Sequence, residues 1–231
     1  MIGSGLRQDC VRLSASGFER ISTSLRAAFA ALLCLGTLGG CESILPKAPA
    51  QSVLYVLDGL SSSRQTTNAT SRASAVAAIT LTVTTPIASA GFGSTHIVYQ
   101  RQAHELEHFA LSQWVDTPAQ MLAPLIVRAL EKSGTFRAVV RGSTAAASEL
   151  RLDTELVRLQ HEFVTTPSRA RITLRAVLVA TATRRVVASR ELDVTVPSPS
   201  DDPAGGVAAA NEAVRRVLVD LTSFCAEFAR K

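Results

Sequence analysis

The chain has 231 residues, with 24 Lys and Arg against 19 Asp and Glu, for a formal net charge of +5 at pH 7. A charge so mild and so evenly scattered excludes a nucleic-acid binder that works through a basic stripe. Four cysteines cannot staple a chain of this length, so a hydrophobic core must carry the fold, and 47% apolar residues are enough to build one.

Residues 1–40 read as a secretory leader. Arg7, Arg12, Arg20 and Arg26, with Asp9 and Glu19 among them, precede the apolar run Ala27–Leu38. A helix needs about 20 apolar residues to span a bilayer, so this run is too short to remain in one. Leu38-Gly39-Gly40-Cys41 then has the form of a bacterial lipobox, in which small residues admit the backbone to a signal peptidase and the thiol accepts a diacylglycerol. The box predicts a mature chain that starts at Cys41 and carries a covalent diacylglycerol and acyl anchor there, with no other cofactor. Each buried CH₂ contributes about 0.8 kcal/mol, so one chain holds a protein marginally and two or three hold it firmly. Glu42, rather than aspartate, follows the cysteine and favours the outer membrane over the inner. Cys10 and Cys34 leave with the leader, which strands Cys225 in an apolar helical pattern as a buried, inert thiol.

Residues 41–52 include Pro46 and Pro49 among small side chains and read as a lipidated tether. Val53–Asp58 is the first candidate strand, and the polar run Ser61–Arg72 is a solvated loop. Val76–Thr84 alternates, with Ile79, Leu81 and Val83 on one face, and Pro86 ends it. A glycine-containing loop through Gly91 and Gly93 leads to a short strand over His96–Gln100. Thr117–Ser133 carries strong helix signals, with Thr117 as N-cap, Pro118 at the first helical position and Gly134 after the end. Leu122, Leu125, Ile126, Ala129 and Leu130 form its apolar stripe. Phe136–Arg141 follows as a strand.

From Glu149 the runs lengthen. Leu150 and Leu152 face one way, whereas Val157, Leu159 and Phe163 alternate in the opposite phase, which predicts a bulge near Leu156. Ile172, Leu174, Ala176 and Leu178 form one face of the next run, and Val186, Ala188, Leu192, Val194 and Val196 repeat the pattern after a hairpin at Thr181–Arg184. Arginines and acids on the opposite faces are cross-strand solvation. Pro197–Gly206 is rich in breakers and reads as a loop. Val207–Phe228 is the long final helix, with Val207, Ala210, Val214, Val217, Leu218, Leu221, Phe224 and Phe228 at helical spacing.

His104-Glu105-Leu106-Glu107-His108 matches H-E-x-x-H, in which two imidazoles one helical turn apart bind zinc and the glutamate serves as general base. With Glu131 as third ligand and Glu105 as base it defines an alternative, an envelope zinc metallopeptidase. A strand through the same residues would separate the two histidines, and the preferred expectation is an ordinary surface stretch with no metal. His96 and His161 are isolated and are expected to be solvated or hydrogen-bonded, and Trp114 to pack in the core. The chain has no G-x-x-x-x-G-K-[ST] loop and no G-x-S-x-G elbow, so any ATP work falls to a partner and no catalytic residue is assigned.

The order IVYQ at 97–100, HFALSQWVDTP at 108–118 and AQMLAPLIVRALEKSGTFRAVV at 119–140 resembles the ABC-type transport auxiliary lipoprotein family. YVLD at 55–58, the long alternating strands and NEAVRRVLVDL at 211–221 fit the same family, with Trp114 to Val140 the most specific tract. The resemblance implies an envelope lipoprotein that accompanies a lipid transporter made of an ATPase, a permease and a membrane-anchored MCE-domain subunit. It also implies that His104–His108 runs extended without metal ligands.

The sequence therefore predicts an α+β fold, a mixed, mainly antiparallel sheet with two principal helices packed on one face. Residues 1–40 are the lipoprotein signal peptide, 41–52 the lipidated tether and 53–231 the auxiliary lipoprotein domain. The expected role is non-catalytic, as a periplasm-facing component docked on the MCE-domain subunit, permease and ATPase, bound to a membrane through its lipid, with no nucleic acid. Homo-oligomerisation is compatible with it, and a lipoprotein that itself carries a lipid is a further alternative.

Overall fold

The computed structural model describes residues 51–59, 77–142 and 148–229. The leader, the lipobox, the tether up to residue 50 and the Ser61–Arg72 loop lie outside them. In chain order the elements are β1 (Val53–Tyr55), β2 (Ala77–Val83), β3 (Ile87–Ala88), β4 (His96–Gln100), β5 (Glu107–Trp114), α1 (Pro118–Lys132), β6 (Phe136–Arg141), β7 (Leu150–Glu162), β8 (Arg169–Ala180), β9 (Arg185–Pro197) and α2 (Pro203–Ala229). The fold is α+β, and the described residues form nine strands in one mixed, mainly antiparallel sheet.

The sheet is branched, and β7 is its common member. On one side β7 pairs antiparallel with β8 through twelve residue pairs, and β8 pairs with β9 through twelve more. Along its other side run β2, β3 and β4 in series, all parallel to it, touching at Leu81↔Leu150, Ile87↔Glu155 and Tyr99↔His161. Outward from β2 lies β6, parallel, and outward from β4 lie β5, antiparallel, and then β1, parallel to β5. Pro86 explains the break between β2 and β3, because it has no N–H to give to the ladder.

The bulge expected near Leu156 is present, as a register shift between Leu156 and Arg158. It returns Leu159 and His161 to the face of Leu150, Leu152 and Leu156, so one strand of thirteen residues stays buried along its length. Ile172, Leu174, Ala176 and Leu178 of β8 are wholly buried on that face. Leu122, Ile126 and Leu130 of α1 and Val214, Leu218, Leu221 and Phe224 of α2 close over it in one hydrophobic cluster. On the opposite face Arg171 pairs with Asp193, and Arg175 with both Glu155 and Glu191, the expected cross-strand solvation. Such half-exposed pairs are each worth about 0–1 kcal/mol, so the apolar face sets the stability.

α1 spans the expected residues with Pro118 in its first turn, and Gly134 adopts φ +63 directly after it, where a side chain would be strained. Thr117 holds the N-cap position without a side-chain cap hydrogen bond. Three expectations need correction. The first strand ends at Tyr55 rather than Asp58, because Leu57 turns into the core. Val186 is exposed, because a register shift between Leu178 and Val179 takes it off the buried face. The loop expected over Pro197–Gly206 ends early, because α2 begins at Pro203 with Asp202 accepting from the Gly205 N–H at 2.7 Å. Among the described residues no helix is long and apolar enough to cross a membrane.

Candidate functional site

The segment nearest the tether is strapped to the body. Past β1, the Asp58 N–H donates to Asn211 Oδ1 at 2.5 Å, while Asn211 Nδ2 donates to the carbonyls of Val56 at 3.2 Å and Val207 at 3.1 Å. A single amide on α2 thus grips the chain on both sides of Leu57, whose side chain is buried. Gly59 lies so close to α2 that a Cβ there would sit 2.6 Å from Val214 Cγ1. A hollow of about 260 Å³ beside this strap is bounded by Asp58, Gly59, Ala208, Asn211, Glu212 and Arg215. Hydrogen bonds from Arg215 and Arg216 hold the Glu212 carboxyl down to about 2, so it is ionised throughout the physiological range. Asn211 was invisible as a site in the sequence, since a lone asparagine beside an apolar stripe reads as helix surface.

At the C-terminal end of β7 lies a buried polar cluster. Ser168 donates its hydroxyl proton to Asp201, so the contact of 2.8 Å between Ser168 Oγ and His161 Nε2 must be donated by the imidazole. That fixes the proton on Nε2 and leaves Nδ1 buried without a partner. The order is imidazole to hydroxyl to carboxylate, the reverse of a nucleophilic triad, because the serine proton faces the acid and not a base. Burial lowers the His161 pKa, while the charges of Asp201 and Asp202 act against that shift. A folded pKa below the ordinary 6.5 gives stability that is complete above 6.5 and lost as pH falls, since the unfolded chain then takes a proton that the folded chain refuses. We expect the thermal midpoint to fall between pH 7 and pH 5, and the His161→Gln variant to show a flatter profile over that interval. An equal slope in the variant would assign the loss to other groups.

A third feature is an open cleft of about 430 Å³ on the charged face of the sheet, with Gln160, Glu162 and Arg171 in its floor and Phe92, His104 and Leu106 in its wall. Glu162 is buried and accepts from Arg169 Nε at 2.8 Å and from Gln160 Nε2 at 2.9 Å. The Cys225 thiol is buried and pushed up to about 12 by that burial, which makes it inert as a nucleophile.

The H-E-x-x-H residues do not form a helix. His104 occupies a turn at φ +67, Glu107 opens β5, and His108 lies on that strand opposite Val98 with its ring stacked on His96 at 4.4 Å. Glu131 sits in the last turn of α1. Local propensity favours helix here, yet pairing of β5 with β4 and β1 overrides it, and the one-turn spacing of the two imidazoles is lost. Among the described residues no group of three His, Cys, Asp or Glu is placed to hold a metal. Trp114 is buried, as expected, and His161 is hydrogen-bonded rather than solvated. Leu38, Gly39, Gly40 and Cys41 lie outside the described residues.

Residues 55–222 match the profile of the ABC-type transport auxiliary lipoprotein component, and the chain belongs to that family. It is similar to protein XCC0632 from Xanthomonas campestris, a DUF330 protein, with 29% identity and a TM-score of 0.62 over 66% of this chain and 86% of that one. A second solved structure, of an uncharacterized protein, shares the fold at 12% identity with a TM-score of 0.58 over 76% of this chain and 99% of its own. Among curated proteins none matches.

Proposed function

We propose that this chain is the non-catalytic, lipid-anchored auxiliary component of an ABC/MCE-type lipid transport system in the cell envelope. The family match over residues 55–222 carries the reading. In this reading Cys41 bears the diacylglycerol and acyl chains, residues 41–52 give reach, and the folded domain docks on the periplasmic parts of the MCE-domain subunit and permease while a separate ATPase supplies the energy. Glu42 after the lipidated cysteine supports an outer-membrane anchor facing the periplasm, which would let the complex bridge the two membranes. The strap of Asn211 across Val56 and Asp58 suits such a role, because it fastens the chain leaving the tether to the longest helix of the body.

Affinity purification of the full lipoprotein from detergent-solubilised envelopes, with partners identified by mass spectrometry, tests the assignment. Recovery of an MCE-domain subunit, permease or ATPase is the expected result, and recovery of none of them would overturn it. Cys41→Ser should leave the domain folded and move it from the membrane pellet to the soluble fraction. Continued sedimentation of C41S with membranes would remove the anchor from Cys41.

A further inference from the structure

The outermost two strands carry an uncovered apolar face. In the parallel register of β1 with β5, Leu54 lies beside Gln113 and Tyr55 beside Trp114, and the Val115 N–H donates to the Tyr55 carbonyl at 2.8 Å. Side chains alternate along a strand, so Leu54 and Val56 share one face with Leu111, Gln113 and Val115, whereas Tyr55, Ser112 and Trp114 turn to the core. Leu54 is 61% exposed, Val56 54%, Leu111 51% and Val115 53%. No charged side chain stands among these five. The four aliphatic residues are four of the eleven exposed large hydrophobic residues among those described; Val53, beside Ser112, is on the other face, and the remaining six are spread over β3, two loops, β9 and α2. Scattered apolar residues are ordinary on a surface, but a group of four on one face calls for something to cover it.

We infer that this face rests on the lipid bilayer that holds the anchor, so that the domain is oriented on the membrane as well as tethered to it. The inference rests on the assignment of the anchor to Cys41. Only eleven residues separate Cys41 from Val53. A flexible chain of that length has a root-mean-square span of about 20 Å, and fully extended it reaches about 40 Å. The lipid therefore holds β1 within about 40 Å of the bilayer, at a high effective concentration of apolar surface. Leu54, Val56, Leu111 and Val115 are the side chains presented there. Burying them in the acyl boundary removes water from them at no cost in buried charge.

The test uses the full lipidated chain in vesicles of phosphatidylcholine brominated on its acyl chains, since bromine quenches indole emission only at contact distance. L54W and L111W place a reporter on the face, V186W places one on exposed β9, and the parent chain with Trp114 alone sets the background. Vesicle flotation and the intact mass at Cys41 are read first. Circular dichroism matching the parent establishes that each variant is folded. The expected result is strong quenching of L54W and L111W beyond the parent, with V186W unquenched. Floating protein with L54W and L111W unquenched would overturn the inference, as would equal quenching of V186W. A blue-shifted, unquenched L54W would also overturn it, by placing protein on the face, whether residues 42–50, a second copy or a partner strand. Failure to float, with no acyl mass on Cys41, would refute the anchor and the orientation together. A floating, quenched chain that recovers no transporter subunit would leave the orientation standing and refute only the transport role.

Discussion

Phe224→Ala should lower the unfolding free energy by about 3–5 kcal/mol, the cost of emptying an aromatic site in a core that cannot collapse around it. Phe224 is fully buried on α2, its ring meets Phe228 edge-on at 5.6 Å, and the Arg190 guanidinium of β9 lies over it at 4.8 Å. Arg190 in turn is paired with Glu227, one turn further along α2. Truncation would thus leave both a void beneath the helix and an arginine without its aromatic seat, where no neighbour can move in without breaking the ion pair. Val219→Ala on the exposed side of the same helix should change stability by less than about 0.5 kcal/mol. Denaturant unfolding of the two variants makes the comparison, and equal effects would show that α2 does not clamp the sheet.

Gly206→Ala should destabilise the protein by about 1–3 kcal/mol, opposite in sign to what helix propensity alone gives. Glycine within a helix costs about 1 kcal/mol relative to alanine, so a substitution in the first turn of α2 would ordinarily help. Here a Cβ would overlap the His161 ring, 2.9 Å from Cγ and 3.0 Å from Cε1 and nearer still to Nδ1. That ring cannot retreat, because its far side is fixed through Ser168 to Asp201. In a double-mutant cycle, His161→Ala should relieve part of the penalty of Gly206→Ala, giving a coupling well above the 0.3–0.5 kcal/mol expected of independent sites. Additive effects would mean that the helix start, and not the ring, sets the need for glycine.

These two sites show where the sequence was readable and where it was not. α1, β4 and β6 follow from local signals: Pro118 and Gly134 bracket a helix, and short alternating runs bounded by turns make strands. The bulge in β7 was legible too, because a change of phase in an alternating run has one simple geometric cause. The start of α2 was not, since Gly205 and Gly206 read as breakers when taken alone. Their meaning lies in Ser200 and His161, against which they pack, and a neighbour in space leaves no mark on local pattern. The same limit applies to H-E-x-x-H, a helix motif by spacing that becomes turn and strand because β4 pairs with Glu107 and His108. The role of Asn211 could not be read either, because its partners stand 155 and 153 residues away along the chain.

The branched sheet also dictates an order of events during synthesis. β2, β3 and β4 find their shared neighbour only in β7, so that Leu81 waits for Leu150 and Tyr99 for His161. The apolar face of β7 is closed by α2, the last in chain order of the described elements. The first half of the chain therefore emerges with unpaired strand margins and bare hydrophobic faces, and nothing it can contact on its own completes a core. Until α2 is available, the apolar faces of β7 and β8 therefore remain without their helical cover.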